Sequence, residues 1–222
     1  MQKWIFDIRS RSFVLTVLAF LFVTILVYWE VTQEFDEAVS LYFQSIAGNV
    51  ALDLTMQSIS EIGDVYYMLI FAIVLLIIKK TRRIGLALMI LLVLATLLTG
   101  YIKCGVDRDR PSLDFEGTPF PIELSQDTFA LFCEGGSNAS YPSGHVARAT
   151  IFGIILGFAL SQRFPRGCYL LLLYPLLMSI SRIYVIHHFP MDVIGGTILG
   201  IMLAGVIAKK TKLLKDFEAS KI

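Results

Sequence analysis

The chain has 222 residues, of which 56% are hydrophobic and 17% are charged, and its mean hydropathy is +0.71. A soluble domain has about 45–50% apolar and about 25% charged residues, so this composition excludes an ordinary soluble protein and predicts an integral membrane protein. The formal net charge of +1 gives no basic excess for binding nucleic acid, and the length leaves no room for a large additional domain.

Six apolar segments predict an all-α chain that folds as a single domain, 1–222, a bundle of six transmembrane helices. The segments are residues 12–29, 64–79, 84–102, 144–161, 167–186 and 191–208. Several are shorter than the ~20 residues that cross a hydrocarbon core, so we expect their ends to extend into flanking polar residues. In the sixth segment, Gly195, Gly196 and Gly200 predict close helix packing. We expect no cleavable signal, because no small-residue cleavage site follows the first segment.

The positions of Lys and Arg predict the orientation of this bundle. Fourteen of the 19 lie before the first segment, after the sixth, or in the connections between segments two and three and between four and five. By the positive-inside rule this side is cytoplasmic, and so are both termini. The other five fall at the extracytoplasmic ends of segments three to six: Lys103, Arg108, Arg110, Arg148 and Arg182. Of these we expect Arg108 and Arg148 to snorkel near helix ends.

Two connections are predicted on the extracytoplasmic side, residues 30–63 and 104–143. The first either contains an amphipathic helix at the membrane interface or is a solvated acidic connector. The second is long enough to form a lid over a pocket, and packing of the loop on itself is the alternative. Cys104 and Cys133 both fall in it, where a disulfide could persist, but their spacing alone does not show that the sulfurs meet.

Lys103, Arg110 and Arg182 predict an anion-binding site, since three cations at one depth repel each other unless an anion lies among them. Phosphate fits, because the arginine fork matches its oxygens and lysine adds a point charge. Ser143 and Gly144 precede the fourth segment, and the free N–H groups at a helix N-terminus also bind anions. We expect Ser143 to cap this helix, with His145 in its first turn.

His188 and Asp192 are four residues apart at the start of the sixth segment, where Pro190 suits the first helical position. One helical turn separates them, so Asp192 can accept a hydrogen bond from one ring nitrogen and leave the other as a nucleophile. His187 has no carboxylate at this offset, and we interpret it as a bystander. Alternatively, His145, His188 and Asp192 could ligate a metal, although a divalent cation beside three fixed cations is unfavourable.

The three clusters resemble the motifs of the phosphatidic acid phosphatase type 2 superfamily, which also includes glucose-6-phosphatase and the vanadium haloperoxidases. Lys103 and Arg110-Pro111 match Lys-(six residues)-Arg-Pro, and residues 142–145 match Pro-Ser-Gly-His. Residues 181–192 match Ser-Arg-(five residues)-His-(three residues)-Asp. All three motifs are complete and in order within residues 103–192. Arg148 and the long insertion 112–141 are not part of the family pattern.

The resemblance implies a phosphatase that needs no metal or other cofactor and forms a phosphohistidine. His188 would attack phosphorus with Asp192 orienting it, and His145 would protonate the leaving oxygen and then activate water. The phosphoryl oxygens would be bound by Lys103, Arg110, Arg182, Ser143 and Gly144.

The membrane setting implies a lipid phosphate as substrate. A polyprenyl diphosphate of the undecaprenyl type is the first expectation, because small six-span family members that act outside the cytoplasm commonly recycle the glycan carrier lipid, which is an analogy with the family. Phosphatidic acid and phosphatidylglycerophosphate are the main alternatives, and lipid A is a third. An anion transporter is the rival of another class, but the two halves show no repeat and the cations lie near one face. We expect a multi-pass plasma-membrane protein with its site on the extracytoplasmic face, and no oligomeric state is predicted.

Overall fold

The computed structural model describes residues 8–119, 138–161 and 163–210. Within these ranges the chain is helical, with one 3-10 helix, Gly167–Leu172, and no strand, which confirms the predicted all-α class. The α-helices are α1 (Arg11–Tyr28), α2 (Gln33–Ser45), α3 (Val50–Ile62), α4 (Val65–Ile77), α5 (Arg82–Val106), α6 (Gly144–Leu160), α7 (Leu173–Tyr184) and α8 (Pro190–Lys210).

Short polar side chains determine where several helices begin. The side-chain oxygens of Ser10, Asn49 and Asp64 accept N–H bonds from the first turns of α1, α3 and α4, at 3.1, 3.1 and 2.8 Å. Each bond satisfies one of the backbone donors that a helix start leaves without an intrahelical partner. At the C-terminal end of α5, Asp107 adopts a left-handed conformation with φ 51° and ends the helix.

The described helices include three stretches that are long and apolar enough to cross a membrane, judged by length and composition. They are α1, α5 and the stretch Gly167–Tyr184. A fourth span forms if α3 and α4 count as one helix bent by 55°, while α6 and the Pro190–Val206 part of α8 are apolar but shorter. Each predicted apolar segment therefore overlaps a helix, and six complete crossings stay a prediction.

Helix α6 is the centre of the bundle and is buried along most of its length. It packs against α5, α7 and α8. Two of the predicted packing glycines allow α8 to approach: a Cβ on Gly196 would lie 2.4 Å from the Ser143 carbonyl oxygen, and one on Gly200 would lie 2.6 Å from the Ala147 carbonyl oxygen. The prediction of close packing is confirmed, because any side chain there would force α6 and α8 apart.

The segment 30–63 is largely helical, because α2 and α3 occupy most of it. One face of α2 carries the buried side chains of Asp36 and Ser40. The exposed apolar side chains of α2 are those of Phe35, Leu41 and Tyr42. The connection is therefore helical, as the first alternative predicted, and its position at the membrane interface stays a prediction.

The second predicted outer connection is anchored on α2 and α3 along its described part. Gln44 Nε2 on α2 donates to the Asp114 carbonyl at 3.0 Å, and Gln57 Nε2 on α3 donates to the Thr118 carbonyl at 2.7 Å. Residues 120–137, where the rest of the proposed lid and Cys133 fall, lie outside the described residues. Cys104 is disulfide-bonded, whereas Cys168 is a buried thiol that donates to the Pro165 carbonyl at 3.3 Å.

Candidate active site

The turn between α7 and α8 sets the direction of the two adjacent histidines. The N–H groups of His187 and His188 both donate to the Arg182 carbonyl, at 3.2 Å each. Ile186 has φ 58°, a left-handed conformation that is rare for a β-branched residue. His187 is exposed after this turn, whereas His188 is 1% exposed. The backbone therefore directs only His188 into the protein.

Asp192 lies beside His188 in the first turn of α8, which begins at Pro190 as predicted. Its Oδ2 lies 3.5 Å from His188 Nδ1 and accepts the Phe189 N–H at 2.9 Å. The second contact is the backward bond of a capping box, from the third helical residue to the residue before the helix. The first is longer than a typical N–H···O bond. The predicted one-turn geometry is present, and the capping bond fixes the carboxylate.

Arg108 does not snorkel, contrary to the prediction, because α2 covers it. It is 8% exposed. Its Nη1 donates to Asp192 Oδ1 at 2.9 Å, and its Nη2 donates to Asp36 Oδ2 at 2.7 Å. The Nη2 group also donates to Gln33 Oε1 at 2.9 Å, and the guanidinium carbon lies 4.2 Å from the centroid of the Phe189 ring. A buried guanidinium between two carboxylates therefore stands directly behind the predicted His188–Asp192 pair.

Arg148 does not snorkel either, since it is 7% exposed. Its Nη2 donates to the Gly63 carbonyl at 3.4 Å. Its Nη1 lies 3.2 Å from the point that a Cβ on Gly144 would occupy, and Thr99 Oγ1 lies 3.6 Å from the same point. The side chain therefore turns back along α6 and lies beside the helix N-terminus.

The segment Pro-Ser-Gly-His joins α6 to the start of α8. Ser143 occupies the N-cap position of α6, but its side chain makes no capping bond, so that prediction was wrong. Its N–H instead donates to the Asp192 carbonyl at 2.9 Å. Its hydroxyl is buried and has no hydrogen-bond partner among the described residues, which leaves it able to bind a ligand. His145 lies in the first turn of α6, as predicted, and is 3% exposed.

Arg182, one of the three predicted phosphate-binding cations, is 1% exposed. Its Nη1 donates to Ser60 Oγ on α3 at 2.7 Å, and its Nη2 lies 3.0 Å from His187 Nδ1. The sequence predicts that His187 is a bystander, but in the structure it contacts Arg182. The neighbouring Ser181 hydroxyl donates to the Met56 carbonyl on α3 at 2.7 Å, so α3 holds both residues of the Ser-Arg pair.

Lys103 and Arg110, the other two predicted cations, lie in the last turn of α5 and just beyond it, and both are half-buried. Arg110 lines a cavity of about 520 Å³ between the end of α1, α2 and residues 106–113. Its described lining also includes Tyr28, Leu41 and Phe189, and it contains neither His145 nor His188. The cavity therefore adjoins Arg110, and the two histidines are not part of its lining.

Tyr141 anchors the loop before α6 to α1 and α8. Its hydroxyl lies 2.9 Å from Thr24 Oγ1 on α1, and a Cβ on Gly195 would lie 2.4 Å from its ring. Burial raises the pKa of Tyr141 to about 12. The phenol therefore stays protonated at neutral pH, and its role is to position this loop.

This arrangement has the parts that nucleophilic attack on phosphorus requires: an imidazole held by a carboxylate, a buried guanidinium, and a free hydroxyl at a helix N-terminus. The alternative metal site is not assembled, since the described residues contain no group of three or more His, Cys, Asp or Glu side chains that could hold a metal ion. Sequence reasoning missed Asp36 and Ser60 as partners of the site, since nothing in the sequence distinguishes them from other polar residues of 30–63.

Comparison with known proteins is consistent with this chemistry. The family model of the PAP2 superfamily matches residues 84–215. An undecaprenyl-diphosphatase of Sulfolobus acidocaldarius is 31% identical over 166 residues, covering 73% of each chain. Undecaprenyl-diphosphatase BcrC of Bacillus subtilis is 28% identical over 179 residues, covering 79% of this chain and 85% of that one. The fold is similar to a transmembrane PAP2-type phosphatidylglycerolphosphate phosphatase from Bacillus subtilis, with a TM-score of 0.74, 24% identity, and coverage of 94% and 100%.

Proposed function

The chain belongs to the PAP2 superfamily, and from this membership and the geometry of the site we propose that it hydrolyses the terminal phosphate of a polyprenyl diphosphate of the undecaprenyl type. It is a membrane protein and a phosphatase. The contact of His188 with Asp192 carries the proposed chemistry. The similarity to two proteins named undecaprenyl-diphosphatase supports the proposed substrate.

In the proposed reaction, His188 Nε2 attacks the terminal phosphorus while Asp192 stabilises the positive charge that develops on the ring. A nitrogen–phosphorus bond forms, and the bond from phosphorus to the bridging oxygen breaks. The electron pair leaves with that oxygen, which receives its proton from His145. Water, deprotonated by His145, then cleaves the phosphohistidine and releases inorganic phosphate. No metal enters this sequence.

The cations have a separate part in the proposed reaction. Phosphoryl transfer depends mostly on positioning and on stabilising charge on the phosphoryl oxygens. Arg182, Lys103 and Arg110 supply positive charge, and Arg182 is held in place by Ser60. The Ser143 hydroxyl and the N-terminus of α6 at Gly144 supply neutral donors. Fixed donors of this kind stabilise the transition state without having to reorganise.

We further infer a single-domain bundle of six spans, with both termini in the cytoplasm and the site at the extracytoplasmic face of the plasma membrane. The distribution of Lys and Arg supports this orientation. The contacts of α2 with the start of α8 support it as well, since they put residues 30–63 at the same end of the bundle as the site.

A substrate panel tests the proposed function. Purified protein in detergent with EDTA should release phosphate from undecaprenyl diphosphate with a kcat/KM at least about tenfold above that for phosphatidic acid or phosphatidylglycerophosphate, a margin that polar contacts to a second phosphate supply. Preference for either phospholipid would contradict the proposed substrate. A requirement for added divalent metal would contradict the metal-free mechanism, and anion flux without hydrolysis would favour a transporter.

Cysteine labelling tests the orientation. Glu116→Cys lies in the outer connection and Arg166→Cys between α6 and the 3-10 helix, and both positions are exposed. A membrane-impermeant maleimide should label Glu116→Cys in intact cells and should label Arg166→Cys only after permeabilisation. The reverse pattern would invert the topology and place the site in the cytoplasm.

A further inference from the structure

Asp36, on α2, is part of a closed ring of contacts with Arg108, Asp192 and the backbone of Met191. This ring lies next to the proposed nucleophile, His188. Its Oδ2 accepts from Arg108 Nη2 at 2.7 Å, and Arg108 Nη1 donates to Asp192 Oδ1 at 2.9 Å. Its Oδ1 accepts the N–H of Met191, the residue before Asp192, at 3.1 Å. Both carboxylates are fully buried. The ring therefore ties α2 to the first turn of α8 through charged groups that water does not screen.

The charges in this ring limit what each member can do. Arg108 alone would neutralise Asp192, because a guanidinium at hydrogen-bond distance competes with the imidazole for the same carboxylate. With Asp36 on the other side, the three ionised side chains carry one net negative charge. That charge remains to stabilise the positive ring of His188, whose Nδ1 lies 3.5 Å from Asp192.

We propose that Asp36 is a positioning residue for phosphoryl transfer, which balances Arg108 so that Asp192 is fixed in place and still acts as an anion toward His188. This role rests on the proposed function. It makes α2 part of the catalytic apparatus, although α2 carries none of the three sequence motifs. Asp36 acts through Arg108 and Asp192 and does not contact the phosphate.

Asp36→Asn tests the charge of this residue with little change of shape. The amide oxygen can still accept from Met191, so the fold should persist while the net charge of the ring is lost. We expect kcat for lipid phosphate hydrolysis to fall about 10-fold to 100-fold, the range typical of removing a partner behind a reacting group, with KM nearly unchanged. Asp53→Asn is the matched control, because Asp53 is equally buried on α3 but bonds Tyr184 and Thr118. It should keep kcat within about threefold, since the Asp53 carboxylate bonds Gly48, Thr118 and Tyr184 and none of the residues of the ring.

A double variant separates electrostatics from structural support. Arg108→Met leaves two buried carboxylates with no cation between them, so one of them takes up a proton and activity falls. Adding Asp36→Asn removes the competing carboxylate, so the one remaining negative charge is on Asp192. The double variant should therefore be more active than Arg108→Met alone at an equal thermal midpoint, whereas a merely structural role predicts that activity recovers only as far as the thermal midpoint does.

Each outcome has one interpretation. Wild-type kcat in Asp36→Asn, or a double variant that is no more active than Arg108→Met, overturns the positioning role and leaves the proposed function unchanged. No phosphate release by the wild-type protein from any lipid phosphate overturns the proposed function and this role with it. If Arg108→Met does not fold, kcat of Asp36→Asn at an unchanged thermal midpoint decides, with Asp53→Asn as reference.

Discussion

Replacing His188 with alanine is expected to abolish phosphate release from the lipid substrate, lowering kcat by roughly 10⁴-fold or more. The imidazole is the proposed nucleophile, and alanine has no group that can attack phosphorus. The side chain is 1% exposed and faces Asp192 at 3.5 Å. Phosphate release by the purified variant, measured against wild type at saturating substrate, gives the ratio.

His187→Ala is the matched control for this substitution. His187 is the adjacent residue and has the same chemistry, but it is exposed and contacts Arg182 instead of Asp192. Its loss should weaken phosphate binding through Arg182 and reduce kcat/KM by about tenfold to 100-fold, the scale of one hydrogen bond to a charged group. If His187→Ala is the inactive variant and His188→Ala is active, the assignment of the nucleophile is wrong.

Asp192→Asn is expected to lower kcat by about 10³-fold to 10⁴-fold, as in triads where the carboxylate that orients a catalytic histidine is replaced by an amide. Asparagine can still accept the Phe189 N–H that Asp192 now accepts at 2.9 Å. It cannot stabilise a positively charged imidazole, because the amide carries no negative charge. Stopped assays of phosphate release, together with thermal unfolding of the same preparation, measure the effect.

The stability measurement decides how a loss in Asp192→Asn is understood. The substitution leaves Arg108 paired with Asp36 at 2.7 Å, so no buried cation is left alone and the fold should survive. A loss of kcat at an unchanged thermal midpoint supports the orienting role. Near-wild-type kcat in a folded variant would show that His188 needs no carboxylate.

Local geometry explains which parts of the site the sequence predicted. Helix starts carry recognisable signals, and Pro190 is one of them. Once α8 begins there, Asp192 falls in its first turn, and a four-residue offset brings His188 to the same side. The glycines of α8 were predictable for a similar reason, because small residues at helical spacing allow close approach whatever the partner is.

The contacts that the sequence could not predict join residues that are far apart in the chain. Arg108 and Asp36 are 72 residues apart, and Arg182 and Ser60 are 122 residues apart. From the sequence alone, a cation near a helix end is predicted to snorkel unless the helix that covers it is known. Here that element is α2, a helix of 13 residues inside an acidic segment that resembles a connector. Tertiary packing, and not local pattern, turns Arg108 inward.

The absence of a side-chain capping bond at Ser143 is also a result of tertiary packing. A serine before a helix normally bonds its own first turn, and the sequence predicts that bond. In the fold, the Ser143 N–H is held by the Asp192 carbonyl at 2.9 Å and the hydroxyl is left without a partner among the described residues. The departure from the usual cap occurs at a residue proposed to bind phosphate, where an unused donor is useful.

The covalent intermediate tests the central claim most directly. Undecaprenyl diphosphate labelled in its terminal phosphate is mixed with the His187→Ala variant, and the reaction is quenched with alkali. The protein is then digested, and the labelled peptide is identified. We expect label on the peptide that contains His188, stable to base and lost in acid. Label on any other residue, or turnover with no labelled protein at any time, would contradict the account.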